Sequence, residues 1–198
     1  MAGMYDRQDR IEGIENGIKV VVVGAGGIGF HVAKMFALSG VKEIHVFDPD
    51  TFEESNLNRI DVPISVLGRN KAEVVKIMIK DMRPEIKVRH YPFPLKEHTF
   101  PKGVDWVVDC TDKIVSQQLN FQLAEENNAK YKKIGYDGER VSIDNRVASW
   151  DTGSNPDGGY TITPSWCVPA IMVAALGVGS VLKYHESEIG CHIKELYR

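Results

Sequence analysis

The sequence predicts an α/β protein: a Rossmann-like, mostly parallel sheet with helices on both faces, a late antiparallel hairpin and an apolar C-terminal helix. Three observations carry that reading. Lys19 to Val23 is a valine run of the kind buried on both faces of a parallel sheet. It ends on the glycine-rich turn Gly24-Ala25-Gly26-Gly27-Ile28-Gly29, after which Ile28, Val32, Met35 and Phe36 recur at helical spacing. Glu43 to Phe47 then resumes strand character beyond a Ser39-Gly40 helix stop. Strand, turn, helix and strand within about thirty residues make a βαβ unit, whose crossover is right-handed in nearly all known cases.

The later elements come in order along the chain. A loop containing Pro63 leads to a helix from about Asn70 to Met82, with Val74, Val75, Met78, Ile79 and Met82 on one face and Pro84 ending it. Val88 to Tyr91 reads as a third strand and Trp106 to Asp109 as a fourth, apolar enough to be central. A helix over about 115–127 is predicted to turn Leu119, Leu123 and Ala124 inward, and Lys132 to Tyr136 resumes β character. Arg140 to Ile143 and Arg146 to Trp150 look like a hairpin around the turn-prone pair Asp144-Asn145. Residues 151–165, with Gly153, Asn155, Pro156, Gly158 and Gly159, form the most loop-like stretch, and a helix from Trp166 to Tyr184 closes the fold. The organisation expected is one domain over 1–198, with an N-terminal arm at 1–17, a crossover-type loop at 151–165 and a polar tail at 185–198.

Composition narrows the function classes. The chain has 198 residues, 43% hydrophobic and 26% charged, with a formal charge of −3. That length buries about two thirds of the unfolded surface, as one globular domain does. There is no basic excess to attract nucleic acid or an anionic membrane. Met1 to Arg10, interrupted by Asp6, Arg7, Asp9 and Arg10, lacks the apolar core of a secretory signal, so a cytoplasmic chain is expected. Trp166 to Leu182 is slightly short for a membrane span and carries Pro169, Gly177 and Gly179, which favours a buried helix. The three cysteines, Cys110, Cys167 and Cys191, form no C-x-x-C pair, and no zinc is expected.

The chemistry gathers around the first βαβ unit. Gly24, Gly26, Gly27 and Gly29 satisfy G-x-G-x-x-G directly after a strand and opening a helix, where backbone amides receive phosphate oxygens. Tight strand-helix packing alone is the alternative. Asp48, at the end of the second strand, is placed to accept from ribose hydroxyls, a role that serves NAD and ATP equally, with a helix or turn cap as the alternative. Residues beyond Asp48 separate the two cofactors. Asn56, Arg59, Arg69 and Lys71 form a polar and basic set that a hydride-transfer site does not need, and that a reaction expelling pyrophosphate does. Arg59 grips phosphate through its planar fork and Lys71 acts as a point charge at a helix start, against the alternative of solvated surface cations. Asp109-Cys110-Thr111-Asp112 ends the fourth strand at the ligand-binding edge. There Asp112 suits Mg²⁺ or a helix N-cap, Asp109 a structural acceptor, and Cys110 a buried small hydrophobe. Cys167, beside the loop and near a helix N-terminus, is either a favoured thiolate or a buried apolar residue.

Together these residues resemble the ThiF/MoeB/HesA family, the adenylating core of ubiquitin-activating enzymes and of bacterial sulfur-carrier activators, over about Tyr5 to Tyr184. The motifs that carry the likeness are G-x-G-G-x-G at 24–29, D-x-D-x(4)-S-N-L-N-R at 48–59, G-x-x-K at 68–71 and D-C-T-D at 109–112. The resemblance implies an ATP-dependent adenylyltransferase that activates the C-terminal carboxylate, usually of a Gly-Gly end, of a small ubiquitin-fold carrier protein. It implies ribose binding by Asp48, phosphate contacts from Asn56, Arg59 and Lys71, and Mg²⁺ at Asp112. Tyr5-Asp6-Arg7-Gln8 looks like the family's R-Y-x-R-Q segment, so Arg7 inherits a role in the neighbouring subunit's ATP site and a homodimer is implied, with the apolar C-terminal helix in its packing. The sequence departs from the pattern in lacking the zinc cysteines, in Lys113 after D-C-T-D and in Ile60 after Arg59. An NAD(P)-dependent oxidoreductase and an inactive ATP-binding scaffold subunit are the competing readings.

Overall fold

In the computed structural model, which describes residues 3–147 and 164–197, the valine run is strand β1 (Lys19–Val23), and the glycine turn leads into helix α1 (Gly29–Leu38). Strand β2 (Glu43–Phe47), helix α2 (Lys71–Met82), strand β3 (Lys87–Tyr91) and strand β4 (Trp106–Asp109) come next. Helix α3 (Ile114–Glu126), strands β5 (Lys130–Tyr136) and β6 (Arg140–Asp144), helix α4 (Cys167–Leu182) and strand β7 (Ile189–His192) complete the order. The strands form one sheet in the order β3-β2-β1-β4-β5-β6-β7. Pairing is parallel from β3 to β5 and antiparallel from β5 to β7.

Alternation along the strands builds a core on each face. Val20, Val22, Ile44, Val46, Trp106, Val108 and Ile134 point to the face covered by α1, α2 and α4. Val21, Val23, Phe47, Val107 and Tyr131 point to the other, where Leu123 and Ala124 of α3 meet Leu95 and Val104 of the connection between β3 and β4. Helix α4 lies close on β5, since a Cβ on Gly177 would come within 2.2 Å of Ile134 Cδ1. Among the described residues no helix is long and apolar enough to cross a membrane.

Three expectations change. The antiparallel pairing late in the chain is present, but β6 pairs with β5 on one side and β7 on the other. With both its edges filled, β6 leaves no place for an Arg146–Trp150 arm; Arg146 and Val147 form a bend, and 148–150 lie outside the described residues. The stretch 185–198 is more than a polar tail, because it supplies β7 and a 3₁₀ turn at Ile193–Tyr197, with Ile193 buried. On α3, Leu119 is exposed, and the buried positions are Gln117, Asn120, Leu123 and Ala124. The sheet surface under α3 carries the buried Asp109 carboxylate, so the helix turns Asn120 toward that acceptor rather than Leu119. The loop 151–163 lies outside the described residues.

The strand order reverses between β1 and β4, the switch point where open α/β sheets bind ligands beyond the carboxyl ends of the strands. The glycine turn leaves β1 and the D-C-T-D turn leaves β4, so the two flank that crevice.

Candidate active site

The glycine turn sets the floor of the crevice. A Cβ on Gly29 would lie 1.7 Å from the Gly24 carbonyl oxygen, so only glycine lets α1 start this tightly against β1. The D-C-T-D turn abuts the same place, with the Cys110 carbonyl oxygen 3.1 Å from a Cβ built on Gly24. Cys110 itself packs against the core, and burial pushes its thiol pKa up.

Asp48 is tied directly to the turn. Its Oδ2 accepts the Ala25 amide at 2.5 Å and its Oδ1 accepts the Asp50 amide at 2.8 Å. Each oxygen keeps acceptor capacity for a further donor such as a hydroxyl. At 4% exposed, its carboxyl is pushed above the usual range by burial, a shift opposed by the two amides and by the charge of Lys71.

The segment after β2 folds back over the turn. Asn56, buried at the end of a 3₁₀ turn, accepts the Glu53 amide at 3.1 Å through Oδ1. Its amide nitrogen has only a 3.4 Å contact with Ser55 Oγ, so it remains a donor for a ligand. Arg59 donates from one guanidinium nitrogen to the Ser55 carbonyl at 2.7 Å and Asn58 Oδ1 at 2.8 Å. Its Cδ and Nε lie 2.9 Å from a Cβ built on Gly27, and the Tyr136 hydroxyl lies 3.1 Å from the same point. The cation is thus seated on the glycine turn. His31, buried on α1, donates from Nε2 to the Arg59 carbonyl at 2.8 Å. Burial lowers its pKa, which favours the neutral imidazole, and the carbonyl acceptor selects the tautomer that carries its proton on Nε2.

Lys71 is the first residue of α2. Asn70 caps the helix by accepting the Glu73 amide, and donates to the Asp48 and Asp50 carbonyls, which binds the start of α2 to the end of β2. The Lys71 ammonium rests 3.3 Å from Asp50 Oδ2. Asp112 is exposed and makes no hydrogen bond or ion pair among the described residues; the N-cap of α3 is Lys113, so the capping alternative for Asp112 does not hold. Asp109 is fully buried and accepts from Thr111, Asn120 and Tyr131, a structural acceptor as expected. Arg69 pairs with Glu73 on the surface.

Residues 5–146 match the ThiF family. The chain belongs to the ThiF family. Among its relatives it is 34% identical over 132 residues to the adenylyltransferase and sulfurtransferase UBA4 of Vanderwaltozyma polyspora, covering 61% of this chain and 30% of that protein. It is 35% identical over 100 residues to the tRNA threonylcarbamoyladenosine dehydratase of Bacillus subtilis, covering 48% of this chain and 39% of that one. The chain therefore spans well under half the length of these curated relatives. E. coli MccB crystallised with MccA-N7isoASN has the same fold, with a TM-score of 0.80 at 22% identity over 97% of this chain and 69% of that one. E. coli MccB crystallised with ATP aligns at 25% identity with a TM-score of 0.76, covering 89% of this chain and 61% of that chain.

Against the ThiF-family motifs, the structure brings Gly24, Gly26, Gly27, Gly29, Asp48, Asn56, Arg59, Lys71 and Asp112 to one edge of the sheet. Arg7 is not among them. The arm docks on the far end of α1, where Gln8 donates to the Ser39 carbonyl at 2.9 Å and the Tyr5 ring covers Gly40. Cys167 opens α4, and the Asn58 amide donates to the Ser165 carbonyl at 2.8 Å, which fixes that helix start against the Arg59 segment. Sequence reasoning missed Asn58, His31, Asn70 and Tyr136. For Asn70 the signal was present as N-x-x-E before a helical run. Nothing local marks the other three, whose roles depend on which segment folds over which.

Proposed function

We propose that this chain adenylates a carboxylate with ATP: the C-terminal carboxylate of a small ubiquitin-fold carrier protein ending in Gly-Gly, or of a peptide. The observation that carries the reading is Arg59 seated over Gly27, a fixed cation at the amides that open α1. A carboxylate is already ionised at neutral pH and needs no general base. Its oxygen attacks the α-phosphorus; the new carboxyl-phosphate bond forms as the bond from that phosphorus to the oxygen bridging to the β-phosphorus breaks, and the electron pair leaves with pyrophosphate. Asp48 holds the ribose hydroxyls. The turn amides, the Asn56 amide, Arg59 and Lys71 meet the phosphates, with Lys71 moving from Asp50 to the growing charge. Asp112, an exposed carboxylate at the crevice with no side-chain partner among the described residues, would hold Mg²⁺, which would neutralise charge on the leaving group. Arg7, at the far end of α1, serves the site of a second copy in a homodimer. Cys167 is the candidate for a later thioester.

Support comes from the family, from relatives named as adenylyltransferases, and from MccB, whose crystals hold ATP in one case and MccA in others. A second acceptor class comes from the B. subtilis relative, whose name places it on a tRNA nucleoside. A charge of −3 offers no electrostatic footprint for RNA, so a protein or peptide is favoured. Hydride transfer and a non-catalytic scaffold are less well supported, because neither uses Arg59, Lys71 and Asp112 together.

ATP-pyrophosphate exchange with candidate Gly-Gly-ending proteins and with short peptides tests the proposal. Exchange dependent on one acceptor is expected, and Arg59→Ala and Asp112→Ala should each lower it by about a hundredfold. Full exchange in both variants would sink the mechanism, as would no exchange with any acceptor. Mixing Arg7→Ala with Asp112→Ala protein should restore part of the activity, since one mixed site is then intact.

A further inference from the structure

We propose that Lys133 is a positioning residue for this reaction: its ammonium holds the Thr111 carbonyl and so fixes the turn that presents Asp112. The inference rests on the adenylation reading for the role of Asp112, and on geometry for the role of Lys133.

Lys133 lies on β5 opposite Asp109 of β4 in the parallel register and is 3% exposed. Lysine is almost never fully buried unless paired, because taking an ammonium out of water costs several kcal/mol. No carboxylate lies within ion-pair distance of Lys133 among the described residues. Its Nζ instead donates to the Thr111 carbonyl at 2.7 Å and the Ile134 carbonyl at 3.0 Å. Gln117 Nε2, on the first turns of α3, donates to the same Thr111 oxygen at 3.2 Å.

Thr111 is gripped from the other side by Asp109, whose Oδ1 accepts its amide at 2.8 Å and its hydroxyl at 2.6 Å. A buried acid therefore holds the amide and hydroxyl of Thr111 while a buried base holds its carbonyl. The charges of Asp109 and Lys133 offset each other across that residue without touching. The next residue, Asp112, has no side-chain partner among the described residues and caps no helix. Its carboxylate is aimed by the backbone alone, and the backbone is aimed by this clamp. Gly135 leaves the room, since a Cβ there would stand 3.2 Å from Ser142 Oγ and 3.6 Å from the ammonium.

A purely structural lysine, present only to balance Asp109, makes a different forecast: its loss lowers stability and leaves metal dependence alone. The test uses the full chain, fluorescent mant-ATP and a Mg²⁺ titration. Lys133→Met, close in volume and uncharged, is expected to raise the half-saturating Mg²⁺ concentration for nucleotide binding by about tenfold, as losses behind a ligand commonly do. Asp112→Asn should do the same. The double variant should be no worse than Asp112→Asn alone, because both act through one carboxylate. Amide hydrogen exchange at Cys110 to Lys113 should quicken in Lys133→Met while Gly24 to Gly29 is unchanged. Gln117→Leu removes the second donor together with a buried amide oxygen that has no partner among the described residues, so it should fold well and shift Mg²⁺ dependence less, in the same direction. Unchanged Mg²⁺ dependence and exchange in Lys133→Met, or multiplying losses in the double variant, would overturn the inference. Wild-type nucleotide binding that ignores Mg²⁺ would remove Asp112 from the metal and refute that part of the adenylation reading; exchange at 110–113 would still decide whether Lys133 holds the turn.

Discussion

Gly27 and Gly29 have different tasks within one turn. At Gly29 the obstacle to a side chain is backbone, 1.7 Å from the Gly24 carbonyl, and it has nowhere to go. Gly29→Ala should therefore destabilise the fold by more than about 3 kcal/mol, read as a lowered denaturation midpoint. At Gly27 the obstacle is the movable Arg59 side chain. Gly27→Ala should cost at most about 1 kcal/mol in stability yet lower ATP-pyrophosphate exchange by about 10-fold or more, by unseating the cation. A Gly27→Ala protein with unaltered exchange would show that Arg59 acts from elsewhere. The sequence shows four glycines at motif spacing and cannot distinguish them, because the difference lies in what each faces. Asp48 is readable from its distance to the turn, and its bond to Ala25 agrees with that placement. Lys133 is not readable. In Lys130-Tyr131-Lys132-Lys133 the lysines look like a solvated edge, and only a strand covered on both faces buries two consecutive ones.

Elements are legible where local pattern and tertiary partner agree. The bounds of β1, β2 and β4 match their apolar runs because parallel central strands are buried on both faces. Strand β6 is legible in the sequence, but its second partner is not. Asp144-Asn145 has turn chemistry, yet Asn145 spends its side chain on the buried Lys132 ammonium and on the Glu186 carbonyl, which draws in a strand from 45 residues further along. Helix α3 is equally legible as a helix, with a different face inward from the one its leucines suggest. Leu119 is 43% exposed, while Asn120, 2% exposed, donates to Asp109 Oδ2 at 2.9 Å. Hydrophobicity ranks these two residues the opposite way from their burial. Leu119→Lys should change stability by no more than about 0.5 kcal/mol, as exposed substitutions do. Asn120→Ala should cost about 1–3 kcal/mol, because it removes a donor from a buried carboxylate. Urea midpoints of the two variants compare them directly, and the reverse order would mean that α3 is rotated from the orientation described.

At the scale of the whole chain, the arm and the site stand at opposite ends of α1. Ten residues of helix span about 15 Å, with the glycine turn at one end and Ser39-Gly40, where Tyr5 and Gln8 dock, at the other. An arginine beside Gln8 does not cover that distance around the helix, so any contact of Arg7 with a nucleotide belongs to another copy. The surface beside the arm suits that requirement. Leu38 of α1 and Leu176 of α4 are each more than a third exposed beside an apolar groove of about 410 Å³ lined by Ile11, Met35 and Val178, and the equally exposed Val168 and Ile171 extend the apolar side chains along α4 toward its start at Cys167. An exposed apolar face of this kind commonly marks an association site. Because these side chains are already in water in one copy, Ile171→Glu with Leu176→Glu should leave the melting temperature of the separated chain nearly unchanged. It should halve the mass by light scattering and remove the exchange activity that depends on Arg7. Retained exchange in a chain that scatters as a monomer would end the shared-site proposal and return Arg7 to the surface. Loss of activity with the dimer intact would instead move the importance of this face to the acceptor.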